Sequence, residues 1–452
     1  MAAISRILVA NRGEIAVRII RACKELGIET VAAVSEADKE SLPAKQSDQT
    51  VCIGPSHALD SYLRIGTLIT AAIGTQSDAI HPGYGFLAEQ PEMAETCEKH
   101  DLLFIGPSPK SLRVMGNKLL ARETVKKINV PTIPGSEKVK DFEAAVLIAE
   151  NIGFPILLKA AAGGGGRGIV IVRDSEKLKT VFNTVSAEAQ AAFGDGTLYI
   201  EKYIPNARHI EVQIVADQFG NVIHIGERDC SVQRRYQKVI EEAPSPGITP
   251  KLRADICKAA VDIAKSINYE SIGTVEFVFD QDNGKFYFLE MNTRIQVEHP
   301  VTEQISGVDL VKEQINVAAG RPVSISQTEV SLQGHAIECR INAELAEADF
   351  RPSPGKITQW KPPEGNGVRV DTHCFAGYSV PPFYDSLLAK VIVSGNDRSE
   401  AIEHMRSALK QFSVSGVDTT IPFLSKIIDH TDFLSGNINT RWIEDVIFTS
   451  GE

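Results

Sequence analysis

The sequence predicts two fold classes in one chain, α/β at the N-terminus and α+β beyond it. Three observations carry that expectation. Up to about residue 115, short apolar strands alternate with helices, and strands end in turn-rich segments. Around residues 154–173, two strands flank a run of glycines. From about residue 206 onward, polar and apolar positions alternate as in antiparallel strands, with helices between them.

In the first region, Arg6-Ile7-Leu8-Val9-Ala10 reads as a strand and Glu14 to Leu26 as a helix closed by Gly27. Thr30–Val34, Ala79–Ile80 and Leu103–Ile105 read as further strands, two of them running into His81-Pro82-Gly83-Tyr84-Gly85 and Gly106-Pro107-Ser108-Pro109. The alternation is that of a parallel, doubly wound sheet. The turn after the first strand, Asn11-Arg12-Gly13-Glu14, lacks G-x-G-x-x-G, so no dinucleotide site is expected there.

The second region runs from Val130-Pro131 to Ile204-Pro205. Phe154–Ala160 and Ile169–Arg173 form a hairpin whose tip is Ala161-Ala162-Gly163-Gly164-Gly165-Gly166-Arg167-Gly168. It is not a P-loop, because G-x-x-x-x-G-K-[ST] is absent. Glycines let backbone N–H groups approach phosphates closely, so the tip reads as a mobile phosphate-covering lid. Lys159 ends an apolar strand and must reach outward or find an anion. Glu201-Lys202-Tyr203-Ile204 either frames a planar ligand between regions or is a charged linker.

In the third region, His209-Ile210-Glu211-Val212-Gln213-Ile214-Val215 alternates cleanly, and helices Pro250–Ile267 and Ser399–Gln411 are expected to pack on the sheet. Thr274–Asp280 and Lys285–Glu290 form a hairpin. With a three-residue loop Asp282-Asn283-Gly284, Gly284 left-handed, Glu276 lies directly opposite Glu290. Two carboxylates about 5 Å apart repel, which calls for a hard cation such as Mg²⁺ between them. A two-residue Asn-Gly turn would instead pair Glu276 with Met291.

The run Glu290 to Pro300 continues that hairpin. Glu290, Asn292, Arg294, Gln296 and Glu298 fall on one strand face, Met291, Ile295 and Val297 on the other. This is either a working surface or a solvated face of an antiparallel strand. A straight strand of that length spans about 26 Å, too long for one small anion. Gln233-Arg234-Arg235-Tyr236-Gln237-Lys238 ahead of Glu241-Glu242 reads as a solvated charge network, with a small-anion pocket as the alternative. His209-Ile210-Glu211 lacks the Pro-Cys-x-x-Cys of a zinc deaminase, and no G-x-S-x-G occurs.

Composition excludes several classes. A chain of 452 residues is long for one core, and at about 150 residues each it holds two to four domains. With 47 basic and 58 acidic residues the net charge is −11, which argues against non-specific nucleic-acid binding. No run approaches the roughly 20 apolar residues of a membrane helix. The 7 cysteines are scattered and never spaced C-x-x-C, so a reducing cytoplasm is expected and a disulfide framework is not. Arg6, Arg12, Arg18 and Arg21 belong to a strand and helix rather than to a targeting signal.

Several ordered motifs together resemble the ATP-grasp superfamily and, within it, the biotin carboxylases, over essentially the whole chain. They are Ala10-Asn11-Arg12-Gly13-Glu14-Ile15-Ala16, His81 to Leu87, Gly163 to Gly168, Glu227-Arg228-Asp229-Cys230-Ser231, Glu290 to Pro300, and Gly334-His335-Ala336-Ile337-Glu338-Cys339-Arg340-Ile341-Asn342. The resemblance implies a Rossmann-like N-terminal domain at 1–115, an ATP-grasp region at 116–330 with a lid at about 131–205, and a mixed β-rich C-terminal domain at 331–452. It implies that ATP phosphorylates bicarbonate and that the resulting carboxyphosphate carboxylates biotin.

By the same resemblance, Lys118, Lys159, His209, Gly165 and Gly166 bind the ATP phosphates, while Glu201, Lys202 and Ile204 frame the adenine, with Gln233 and Tyr236 also in the ATP site. Glu276, Glu290 and Asn292 hold Mg²⁺ or Mn²⁺. Glu298 is the general base, Lys238, Arg294, Gln296 and the Val297 backbone bind bicarbonate, and Arg340 stabilises carboxyphosphate and the biotin enolate. Two departures are Tyr236, where many members have histidine beside the substrate pocket, and Ala161-Ala162, where Ser-Gly is common. No methionine adjoins a lysine, as the biotin-attachment turn requires, so biotin is expected on a separate carrier protein. Carboxyltransferase subunits, a cytoplasmic homodimer with Arg18, Arg21 and Glu25 as contacts, and acetyl-CoA carboxylase in fatty acid biosynthesis complete the expectation. The within-family alternatives are a pyruvate, 2-oxoglutarate or propionyl-CoA carboxylase. An inactive nucleotide-binding assembly protein is the alternative from another class.

Overall fold

The computed structural model describes residues 4–161 and 168–448. The first strands are β1 (Arg6–Val9), β2 (Glu29–Val34), β3 (Gln49–Cys52), β4 (Ala79–His81) and β5 (Leu103–Phe104). They make an all-parallel sheet in the order β3-β2-β1-β4-β5. Its central strand is a continuous apolar run, Ile7, Leu8 and Val9, with no exposed surface, as a strand covered on both faces must be. Helix Gly13–Glu25 packs Ile15, Ala16, Ile19, Ile20 and Cys23 against it and is followed by Gly27 at φ +72°. The expected doubly wound sheet is present.

β6 (Ile156–Ala160), β7 (Ile169–Val172) and β8 (Leu198–Lys202) form a separate antiparallel sheet, ordered β7-β6-β8. The expected lid glycines Gly165 and Gly166 lie outside the described residues.

An eight-stranded sheet carries the rest. Its strands begin with β9 (Ala207–Ala216), β10 (Val222–Arg234), β11 (Gln237–Ala243), β12 (Ser271–Asp280), β13 (Lys285–Asn292) and β14 (His335–Asn342). Short strands β15 (Glu344–Leu345), β16 (Arg351–Pro352), β17 (Gly355–Lys356) and β18 (Gln359–Lys361) follow, then β19 (Val368–Thr372), β20 (Ser379–Val380) and β21 (Leu387–Gly395). The order is β13-β12-β9-β10-β11-β14-β21-β19, so one sheet runs across the expected 330/331 division. Helix Pro250–Ser266 buries Ile256, Ala260 and Ile263 against Ile210, Val212 and Ile214 of β9. Helix Arg398–Gln411 packs Ile402, Met405 and Leu409 against β14 and β21. The opposite face of β9 carries His209, Glu211 and Gln213, and these are buried as well. A polar strand face hidden from water must satisfy its charges internally.

Two expectations about the hairpin need correction. The β12–β13 loop has four residues, Gln281 to Gly284, and pairs Asp280 with Lys285 and Phe277 with Phe288. A bulge at Leu289 then shifts the register, and it is this extra residue that puts Glu276 opposite Glu290. Gly284 does take the left-handed conformation, at φ +64°. Strand β13 also ends at Asn292, so Arg294 to Glu298 is an irregular segment leading into helix His299–Ser306, not a strand.

All seven cysteines are free, and no helix among the described residues is long and apolar enough to cross a membrane.

Candidate active site

Strand register assembles the site. Glu211 on β9, Glu276 on β12 and Glu290 on β13 stand directly opposite one another in one row, and Arg228 of β10 faces Glu211 from the other side. Three carboxylates in line repel unless cations lie among them. Lys238 of β11 supplies one. Its ammonium donates to Glu211 at 2.6 Å, to Glu276 at 3.0 Å and to Glu298 at 2.6 Å. Arg228 donates to Glu211 at 2.5 Å and to Gln213 at 2.8 Å. Arg340 of β14 donates to the second oxygen of Glu298 at 2.9 Å and to Glu241 at 2.6 Å.

Glu298 is fully buried at the start of helix His299–Ser306. Burial alone would raise its pKa, but Lys238, Arg340 and Arg228 outweigh that and hold it well below the usual carboxylate range. For Glu276 burial again opposes the neighbouring cations, and Lys238 and His209 prevail to hold it low. His209 is itself buried; Glu276 at 3.1 Å overcomes the desolvation and raises the imidazole pKa. Gln233 fixes the ring from the other side, at 3.0 Å from Nδ1.

Around this cluster, Asn292 and Gln296 donate to Glu276 at 2.8 and 3.0 Å. Arg294 donates to Glu89 at 2.9 Å and to the Asn292 side-chain amide oxygen at 3.1 Å. The Val297 backbone, expected to bind the substrate anion, has its carbonyl accepting from Lys390 at 2.7 Å.

A second group lies on the three-stranded sheet. Lys159 is buried and donates to Glu201 at 2.8 Å, and the Arg122 guanidinium bonds the other oxygen of Glu201. Burial and the neighbouring cations Lys118 and Arg122 lower the Lys159 pKa, opposed by Glu290. So the anion that Lys159 needs is Glu201, and the Glu201 side chain is committed to ion pairs. Lys202 donates to the Gly153 carbonyl at 2.8 Å, and Ile204 is half-buried nearby. Lys118 begins helix Lys118–Lys127 and stands 3.7 Å from Glu290.

The donor set fits a divalent cation. Glu276 and Glu290 are opposed carboxylates, the Glu290 side chain is 37% exposed, and its one ion-pair partner among the described residues is Lys118. Hard oxygen donors with an open side are what Mg²⁺ takes when it also binds phosphate.

Tyr236 is 47% exposed at the β10–β11 hairpin tip, where Arg235 and Tyr236 take the positive φ of a two-residue turn, +48° and +66°. Two expectations fail. The Glu241-Glu242 pair is not solvated, because β11 is interior to the sheet and both are buried. Arg18 is no free contact residue; it is buried in ion pairs with Glu303 at 2.8 Å and Asp309 at 2.6 Å. Arg21 approaches Asp371 at 3.8 Å and Glu25 meets Lys312 at 2.6 Å.

Sequence reasoning missed Glu89, Glu211, Arg228, Glu241 and Lys390 as members of the constellation. Lys390 carried a signal, a lone charge inside Leu387-Leu388-Ala389-Lys390-Val391-Ile392-Val393. Glu89 carried none, since it meets Arg294 across 205 residues.

Three family models match, in order along the chain. They are the biotin carboxylase N-terminal domain over residues 3–112, the carbamoyl-phosphate synthase L chain ATP-binding domain over 117–326, and the biotin carboxylase C-terminal domain over 338–445. The chain is 52% identical over 442 residues to biotin carboxylase 1 of Bacillus subtilis, covering 98% of both. Among solved structures, the biotin carboxylase domain dimer of Hydrogenobacter thermophilus 2-oxoglutarate carboxylase, in complex with MgADP, ADP and bicarbonate, superposes with a TM-score of 0.96 at 49% identity, covering 98% of both chains. Rhizobium etli pyruvate carboxylase superposes with a TM-score of 0.94 at 41% identity, over 100% of this chain and 41% of that longer one.

Proposed function

The chain belongs to the biotin carboxylase family, and from that premise we propose that it uses ATP and bicarbonate to carboxylate biotin borne on a separate carrier protein. We assign it to acetyl-CoA carboxylase in fatty acid biosynthesis, with carboxyltransferase subunits as further partners in a cytoplasmic complex. The observation that carries the reading is Lys238, whose ammonium joins the carboxylates of the cation-type row, Glu211 and Glu276, to the buried Glu298. One cation thereby links a metal–phosphate end to a base.

In this reading residues 1–115, 116–330 and 331–452 are the three domains, with a lid at about 131–205. Lys118, Lys159 and His209 receive the ATP phosphates, with Gly165 and Gly166 closing over them. Glu201, Lys202 and Ile204 frame the adenine, and Gln233 acts by holding His209. Glu276, Glu290 and Asn292 hold Mg²⁺ or Mn²⁺, which supplies charge neutralisation at the transferring phosphoryl group. Tyr236 borders the ATP site from the β10–β11 hairpin tip. The chain forms a homodimer in which Arg21 and Glu25, both half-exposed, remain candidate contacts.

Lys238, Arg294 and Gln296 bind bicarbonate, and Glu298 takes its proton. The low pKa of Glu298 in the free site at first looks wrong for a base. It reflects the direct hold of Lys238 on one Glu298 oxygen and of Arg340 on the other. Bicarbonate arriving at Lys238 and Arg340 shares those cations and adds a like charge beside Glu298, and both effects raise its basicity. Arg340, freed in part from Glu298, then faces the developing negative charge of carboxyphosphate and of the biotin ring, in a site that excludes water.

The test is ADP release by the purified chain. Release that requires both bicarbonate and Mg²⁺ and rises on addition of free biotin supports the reading. ADP release independent of bicarbonate overturns it, and no ADP release under any of these conditions favours an inactive nucleotide-binding protein. Copurified transferase subunits identify the acyl acceptor.

A further inference from the structure

Lys390 lies mid-strand on β21 and has no exposed surface. A buried ammonium persists only where acceptors surround it. Its neighbours are the Val297 carbonyl at 2.7 Å, a Glu14 oxygen at 3.2 Å and an Asp371 oxygen at 4.0 Å. Both carboxylates have other partners. Asp371 receives two bonds from Arg369, at 2.9 and 2.6 Å, and Glu14 accepts from the Tyr84 hydroxyl. The Val297 carbonyl has Lys390 as its only donor among the side-chain bonds of the described residues.

Two placements give that bond its weight. Val297 immediately precedes Glu298, so the bonded carbonyl belongs to the peptide that carries the proposed base. Lys390 is also paired directly opposite Arg340 in the β14–β21 register. Arg340 holds the Glu298 carboxylate at 2.9 Å from one strand, while Lys390 holds its backbone from the next. The segment between Asn292 and His299 lies in no strand, so its path depends on such tethers.

We infer that Lys390 is a positioning residue: its bond to the Val297 carbonyl holds the Arg294–Glu298 segment in register with Arg340 and Lys238. This rests on the proposed carboxylation reaction. It adds a residue that touches no substrate and acts only through Glu298 and its neighbours.

The test uses the full chain, with Lys390→Met and the double variant Lys390→Met/Glu14→Gln assayed beside the unaltered protein. The unaltered protein must first release ADP in a bicarbonate-dependent way; if it does not, the functional reading fails and Lys390 is not at issue. Given that turnover, Lys390→Met should lower kcat roughly a hundredfold, the scale of a displaced catalytic group. It should raise KM for bicarbonate and leave KM for ATP within about twofold. The double variant removes the carboxylate charge along with the ammonium, so its unfolding midpoint should return toward that of the unaltered protein. Its kcat should stay low, because the Val297 carbonyl is still untethered. Recovery of stability and kcat together overturns the inference and leaves Lys390 a structural counter-charge. Near-normal kcat in Lys390→Met overturns it outright.

Discussion

The proposed bicarbonate end of the site stands on neighbouring strands of an eight-stranded sheet, whereas the proposed nucleotide end borrows Lys159 and Glu201 from a separate three-stranded one. On the wide sheet, strand register alone lines up Glu290, Glu276, Glu211 and Arg228, and Lys238 and Arg340 complete the charge balance. Donors fixed before substrate arrives need little reorganisation during the reaction. On the small sheet, Lys159 is already paired to Glu201, so the proposed phosphate binding there would exchange one anion for another. The difference teaches that, on the proposed reading, one site is preorganised at the end assigned to the unstable intermediate and exchangeable at the end assigned to the large substrate.

The largest effect that tests the contrast is at Glu298. Glu298→Gln keeps the shape but removes the charge between Lys238 and Arg340. Biotin carboxylation should fall by about a thousandfold, within the range for a lost general base. ATP binding, followed by titration, should change by less than about threefold. Normal turnover by this variant would remove Glu298 from the role of base. Loss of ATP binding alongside would show that the two ends are not separable.

How much of this was legible in the sequence depended on sequence distance. The β12–β13 hairpin is local, and the opposition of Glu276 and Glu290 was legible, though through a three-residue loop rather than the four-residue loop and Leu289 bulge that produce it. A bulge leaves no mark in an alternating pattern. The polar alternation of Glu290 to Glu298 was read as a single strand. Strand β13 ends at Asn292, and the segment beyond it is held by Glu89 at the Arg294 side chain and by Lys390 at the Val297 carbonyl, from distant parts of the chain. The polar face of β9 was legible as polar but not as buried, because the side chains that meet it, Arg228, Lys238 and Glu276, come from other strands of the sheet. The doubly wound sheet was legible throughout, since each of its strands announces itself within a few residues.

A smaller effect sharpens the contrast from the nucleotide end. Glu201→Gln leaves Lys159 and Arg122 buried without their shared carboxylate. Removing one partner of a buried pair costs about 3–5 kcal/mol. That loss should fall on the three-stranded sheet and be read as faster amide exchange in β6 and β8. KM for ATP should rise, while KM for bicarbonate should hold within about twofold. An equal rise in both constants would break the separation of the two ends.

The smallest effect lies behind Arg340, where Glu241 and Glu338 face each other across β11 and β14. Glu338 has no exposed surface, and neither of its oxygens has a hydrogen-bond partner among the described residues. Burial is the main cause that raises its pKa well above the usual range; Glu241 and Glu298 add to it, and Lys390 and Arg340 oppose it. Burial likewise pushes Glu241 up to about 7, with Arg340 and Lys238 opposing and Glu298 adding. An acid with a raised native pKa keeps a proton that the unfolded chain has released, so stability falls as pH rises from the ordinary glutamate value near 4.5 to about 7. Glu276, Glu298 and Asp371 are shifted the other way, and their contribution is lost only as pH falls below the ordinary carboxylate range. The two groups therefore act in separate windows. Denaturant unfolding of the unaltered protein should show stability declining between about pH 5 and pH 7, and Glu338→Gln should make that decline shallower. An unchanged slope would mean that Glu338 ionises in the native protein. The charge balance around Arg340 would then need a cation beyond those present on the sheet, and the bicarbonate end would be less complete by itself than the nucleotide end.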